Sequence, residues 1–313
     1  DLTVDTSGNL FVVDSINHRI RKIVISTGMV STLAGNGVLS YADGPGITAS
    51  FKYPRGICID RSGNLFIADT DSHRIRSIII STGVVSTLAG TALGIGTSGS
   101  TDGTGTSASF TSPFGVAIDV SGNLFVADTY NQRIRKITFP NGLIQSGGVV
   151  TTIAGQANIG FADGTGAAAL FYYPTGITVD ATGNLFICDK DNNRIRKMTP
   201  GGVVTTIAGN GQQSWVDGVG TSTSFYQPPR LAFDPSGNLV VTDGLNHKIR
   251  KVTLAGVVTT LAGNVRGFAD GVSTGTVSPL GASFYSPRGI VIDTSGNLFV
   301  GDTGNHVIRK IVI

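Results

Sequence analysis

The sequence contains no glutamate; all 20 acidic residues are aspartate. Glutamate is a good surface helix former, so its absence argues against a chain with much helix. Charge of either sign is sparse, at 14% of 313 residues, and the formal net charge is only +3. That balance gives no strong steer toward nucleic acid or an anionic membrane. Only two cysteines occur, Cys58 in "GICID" and Cys188 in "LFICDK", each within an apolar, strand-like run. Both are expected as small buried hydrophobes rather than a disulfide pair. The sequence has no signal peptide at its start, no apolar run long enough to span a bilayer, and no N-x-[ST] sequon. It opens directly in the strand-like "DLTVD", so further sequence is expected before it.

Glycine is what the chain has in excess, with 44 residues against a usual share of about 7%. Many of them mark an internal repeat. The tripeptide "SGN" or "TGN" recurs at 7–9, 62–64, 121–123, 182–184, 236–238 and 295–297. In step with it run "DSINHRIRKI", "DTDSHRIRSI", "DTYNQRIRKI", "DKDNNRIRKM", "DGLNHKIRKV" and "DTGNHVIRKI". Between copies come "VVSTLAG"-type runs, an "ADG"-type loop and then "F..P.G". One unit reads as four short strands at 56–60, 65–69, 74–80 and 84–90, with Gly63 suited to the positive φ of a tight hairpin. The second strand, "LFIAD", is apolar throughout and should be buried on both faces. Regularly spaced four-stranded units predict a β-propeller, and six of them fit a closed ring.

The pattern "P.GI.ID..GNLF.AD..NHRIRK" resembles the NHL-repeat propellers, over essentially the whole chain. The fold expected is all-β, a six-bladed β-propeller of four-stranded NHL-type blades spanning roughly 1–35, 56–90, 115–155, 176–209, 230–263 and 289–313. Asp1 aligns with Gly56 and Ile313 with Ile25, so the counterpart of Ser26–Arg55 is absent once. The outer strand of the last blade is therefore missing from this segment, and upstream sequence or another chain is expected to supply it. The family resemblance leaves function open, because such propellers include RNA binders, protein-interaction modules, lyases and extracellular receptor domains.

The titratable groups are almost all consumed by the repeat. Six Asp (5, 60, 119, 180, 234 and 293) end the first strands ahead of the "SGN" turns, where they can accept turn amides. Five more, Asp43, Asp102, Asp163, Asp217 and Asp270, lie in the "DG" loops. The second-strand Asp and the following Arg predict a structural clasp: Asp14 with Arg19, Asp69 with Arg74, Asp128 with Arg133, Asp189 with Arg194. All four histidines, His18, His73, His247 and His306, share one repeat position, which is Gln132 and Asn193 in the other copies. That leaves no catalytic residue and no unique metal ligand. A ring of first-strand Asp could suit an axial Ca²⁺, but local turn capping is the expected role, and no cofactor is expected.

A binding site is expected on the long-loop face, where the residue after Pro at the start of each inner strand is Arg55, Phe114, Thr175, Arg230 or Arg288. Three guanidiniums and one aromatic would converge at the channel mouth, suited to an anionic or glycan-like group, unless each Arg is instead paired with a neighbouring loop Asp. Trp215 joins this set as a candidate, although aromatic counterparts in most copies make a loop anchor its expected role. The leading expectation is a non-catalytic binding or assembly module of a larger, extracellular or cell-surface protein. Its partners would be other domains, protein subunits or glycan, with no membrane span and no nucleic acid. A propeller lyase or hydrolase, or an RNA-binding domain, is the alternative.

Overall fold

The computed structural model describes residues 1–91, 97–140, 147–270 and 281–312. Six antiparallel sheets stand around one axis as a six-bladed β-propeller, and among the described residues there is no α-helix. Residues 141–146 of the third expected blade, and Ile313 of the sixth, lie outside the described residues. The second blade shows the plan, with strands Gly56–Ile59, Asn64–Asp69, Arg74–Ile79 and Val84–Ala89 paired in sequence order. Its second strand buries Leu65, Phe66, Ile67 and Ala68 completely, between the neighbouring blades. That explains a continuous apolar run where an open sheet would alternate.

Each tight turn is held from within. Gly63 takes φ +81°, and Asp60 accepts the amides of Ser62 and Asn64 and the Asn64 side-chain amide. In the third to fifth blades the preceding long loop adds a two-residue strand, as Gly103–Thr104 does against Val149 and Val150. The sixth blade has only three strands, Pro287–Ile292, Leu298–Asp302 and Val307–Ile311. The ring closes where Leu2 and Leu10 of the first blade pack on Phe299 of the sixth.

The clasp exists, but its basic partner differs from the one the sequence suggests. Asp69 and Arg74 face each other in register, yet Asp69 Oδ2 meets Arg76 Nη1 at 2.9 Å. The same shift of two residues holds for Asp128–Arg135 at 2.7 Å and Asp189–Arg196 at 2.6 Å, in place of Arg133 and Arg194. In the first blade the ion pair of Asp14 is a loose 3.7 Å contact, and it is to Arg21 rather than Arg19. The cause is competition: the first base is drawn to the loops that flank its blade. Arg74 donates to the Thr91 carbonyl and stacks 3.6 Å from the Tyr41 ring, and Arg194 does likewise with Asn210 and Phe161.

The second Arg is the true linchpin of a blade junction. Arg76 is fully buried, rests on the Phe51 ring and also binds the loop Asp43 at 2.6 Å. Asp43 in turn accepts the amide and hydroxyl of Thr87 on the outer strand. One Arg thus ties its own blade to the loop arriving from the blade before. Burial pushes the carboxyls of Asp69, Asp128, Asp189 and Asp243 up to about 6, against the pull of their paired guanidiniums.

A second tie explains the histidines. His18, His73, Gln132, Asn193 and His247 all adopt positive φ, a conformation His and Asn tolerate better than most residues. From there each side chain accepts a backbone N–H of the next blade: Tyr53, Ser112, Tyr173, Gln227 and Ser286. For a histidine, the accepting Nδ1 must be unprotonated. Burial holds His73 and His247 below the ordinary imidazole value of 6.5. Below that pH the unfolded chain takes up protons that the folded one refuses, so this contribution is complete above 6.5 and is lost as pH falls. The raised aspartates act in the opposite sense between about 6 and 4. Comparing variants separates the two: His73→Gln/His247→Gln, copying Gln132, should match the parent at pH 8 and exceed it in urea midpoint at pH 5.5. An equal loss of stability at both pH values would contradict the acceptor role.

Candidate functional site

Four of the six inner strands carry glycine where they approach the axis: Gly56, Gly115, Gly176 and Gly289. At each of them a Cβ would run into backbone of the next blade, such as the Phe114 carbonyl for Gly56 and the Thr175 carbonyl for Gly115. Close approach of main chains is what makes the ring tight. The other two positions are Asp1 and Arg230. The strand pairing shows that Arg230 stands at the glycine position, opposite Thr242 as Gly56 is opposite Ala68. It is therefore one residue deeper than the sequence comparison placed it, because the double proline 228–229 puts Pro229 level with Arg55.

From that depth the Arg230 side chain crosses the channel. Its guanidinium binds the Asp1 carboxylate at 2.6 Å and the Phe114 carbonyl at 3.3 Å. Asp1 also accepts the Ile57 amide at 3.0 Å. Burial lowers Arg230 to about 10, which leaves it charged at neutral pH. This ion pair plugs the axis. Below it lies a cavity of about 200 Å³ beside Cys58. Burial pushes up the thiols of both Cys58 and Cys188, and the two cysteines are free.

Above the plug opens a cup of about 940 Å³ on the long-loop face. Arg55, Phe114, Thr175, Arg230 and Arg288 all line it, so the structure brings five of the six expected site residues together. Their roles differ. Thr175 is buried and spends its hydroxyl on the Pro229 carbonyl at 3.1 Å. Arg55 lies 4.8 Å from the Phe114 ring and has no carboxylate partner among the described residues; its Nε is buried without a hydrogen bond. Arg288 likewise has no ion pair among the described residues; its side chain reaches solvent at the cup wall, and partial desolvation together with the nearby Arg55 lowers its pKa. Lys190 at the wall is already neutralised by Asp191 at 2.6 Å.

Trp215 is not part of the cup. It sits on the loop ahead of the fifth blade, its ring 4.2 Å from the Lys248 ammonium. Tyr41 and Phe161 cover Arg74 and Arg194 in the same way, which makes these aromatics loop anchors. Among the described residues no group of His, Cys or Asp could hold a metal ion. Sequence comparison missed the Asp1–Arg230 plug, although both residues stand in register with glycine elsewhere. Two exceptions of opposite charge in one ring were the available signal.

Comparison with known proteins agrees with this architecture. The NHL repeat family matches residues 51–76, 110–137, 171–198 and 284–311. The fifth blade, where Arg230 replaces glycine, is not among these stretches. Human NHL repeat-containing protein 2 is 28% identical over 98% of this chain and 45% of its own length. The Arabidopsis thaliana chloroplastic protein SUPPRESSOR OF QUENCHING 1 is 29% identical over 78% of this chain and 24% of its own. The chain thus spans less than half of either relative. Among solved structures, an auxiliary nutrient binding protein from Bacteroides thetaiotaomicron superposes with a TM-score of 0.70 at 20% identity, covering 99% of this chain and 68% of that one.

Proposed function

We propose that this chain, which carries four matched NHL repeats, is a non-catalytic binding module whose cup receives an anionic group of its ligand. The observation that carries this is the pair Arg55 and Arg288. Two guanidiniums line one cavity, Arg55 half-buried and Arg288 exposed on its wall, and neither has a counter-ion among the described residues, so an arriving anion finds both charges unspent. Phe114 beside Arg55 adds an apolar face on which a sugar ring or aliphatic stem can rest. The bacterial structural neighbour is named as a nutrient binding protein, and ligand binding on this scaffold is what we carry over from it. We further place the module in a larger extracellular protein. The sparse charge and Ser/Thr/Gly-rich surface support that compartment, and the greater length of the curated relatives supports the larger chain.

Titration calorimetry with uronic-acid oligosaccharides, alongside their neutral reduced counterparts, tests the site. The acidic series is expected to bind and the neutral one not. Losing one charge-assisted contact costs about 1.5–3 kcal/mol, so Arg55→Ala and Arg288→Ala should each weaken binding roughly 10- to 150-fold. Affinity that survives the double substitution would refute the site. Steep, salt-sensitive binding of RNA in place of the glycan would refute the extracellular placement.

A further inference from the structure

One sector of the cup's rim is aromatic, and the repeat does not require it to be. Two places after the second-strand Asp, five blades carry Ile16, Asp71, Asp191, Leu245 or Gly304, and the third carries Tyr130. After the buried loop Phe, four blades carry Lys52–Tyr53, Thr111–Ser112, Tyr226–Gln227 or Tyr285–Ser286, and the fourth carries Tyr172–Tyr173. Each of the three positions is therefore filled elsewhere without an aromatic. Between the third and fourth blades three tyrosines coincide, with ring centroids 4.8 Å apart for Tyr130 and Tyr173 and 5.0 Å for Tyr172 and Tyr173.

This sector adjoins the cup on two sides. The Thr129 hydroxyl donates to the Pro174 carbonyl at 2.7 Å, which fixes Tyr130 beside Tyr173, and the next residue, Thr175, lines the cup. The Asp191 amide donates to the Tyr172 carbonyl at 3.0 Å, and its neighbour Lys190 is cup wall. Tyr130 is 55% exposed and the other two are half-buried, so ring surface still faces solvent after the three have packed together. The charge at this edge is already spent, because Lys190 pairs with Asp191 at 2.6 Å. Tilted aromatic faces beside a neutralised pair suit the C–H face of an uncharged sugar better than a second carboxylate.

We propose that Tyr130, Tyr172 and Tyr173 form a second subsite, which stacks a neutral sugar of an oligosaccharide whose uronic residue is held in the cup by Arg55 and Arg288. The ligand rests on the anion reading of the cup; the subsite adds the direction of its chain and the need for mixed acidic and neutral sugars. Phe114, 4.8 Å from Arg55, and Thr175, whose carbonyl lies against Gly115, mark the path from the guanidiniums to the tyrosines.

Titration calorimetry with oligosaccharides that alternate uronate and N-acetylhexosamine, two, four and six sugars long, tests this. The six-sugar chain should bind more tightly than the two-sugar one by about fivefold or more. Tyr130→Ala, a change at an exposed side chain, should abolish that gain and leave the two-sugar affinity unchanged, whereas Tyr130→Phe should keep it. Arg55→Ala should weaken every length alike. Affinity independent of length, or a length gain that survives Tyr130→Ala, would overturn the subsite and leave the cup standing. A carboxyl-reduced six-sugar chain that binds as tightly as the acidic one, with the same dependence on Tyr130, would strike the anion reading alone. No binding at any length would overturn both, and a proline-rich peptide bound through Tyr130 in place of the sugars would overturn the glycan assignment.

Discussion

Arg135→Ala is expected to destabilise the protein by about 3–5 kcal/mol, the range for removing one partner of a buried ion pair. Arg135 is fully buried and neutralises two carboxylates, Asp128 at 2.7 Å and Asp102 at 2.7 Å, while donating to the Ser109 and Thr101 carbonyls. Its removal strands Asp128, itself completely buried, and leaves a void above Phe110. Without the guanidinium the Asp128 carboxyl should rise beyond its present value of about 6. Protonation then relieves the stranded charge, so the deficit measured in urea should shrink as pH falls from 7 to 5. Arg21→Ala is the internal contrast. Its residue is part-exposed with a single 3.7 Å contact, and after solvent screening it should cost under about 1 kcal/mol. Similar urea midpoints for the two variants would contradict the linchpin assignment.

Gly56→Ala should be as damaging, by about 3 kcal/mol or more, through a purely steric route. The new Cβ would lie against the Phe114 carbonyl oxygen, a backbone atom of the next inner strand that cannot rotate away. Relief requires widening the ring, which would also pull Arg230 from Phe114 and Asp1. Gly201→Ala serves as control, because its nearest neighbour would be the Thr199 hydroxyl at 3.8 Å, an ordinary contact. That variant should be neutral or slightly stabilised. Calorimetric unfolding of the pair decides the matter, and a Gly56→Ala melting point equal to that of the control would remove the close-packed ring.

The blades were legible in the sequence because their cause is local. Period-two and continuous apolar runs, turn glycines and turn-capping aspartates act within a few residues, and six repetitions expose them. The clasp was half legible. Asp69 and Arg74 are neighbours across one hairpin, and pairing them is what a two-strand view suggests. Arg76 wins because Tyr41 and Asp43 arrive from the loop before the blade and claim one base each.

The cup followed the same division. Arg55, Phe114 and Arg288 were found because one repeat position varied among copies. Trp215 was set apart only when its ring was seen to cover Lys248. Thus the sequence alone determined the number of blades, the strand order within each and the face that bears the long loops. Tertiary structure alone decided which Arg pairs with the buried Asp, that Asp1 and Arg230 plug the axis, and that Arg55 and Arg288 find no counter-ion among the described residues. The physical reason is distance along the chain. Ring closure brings residues more than a hundred positions apart, such as Phe114 and Arg230, to within a hydrogen bond, and no local pattern records that choice.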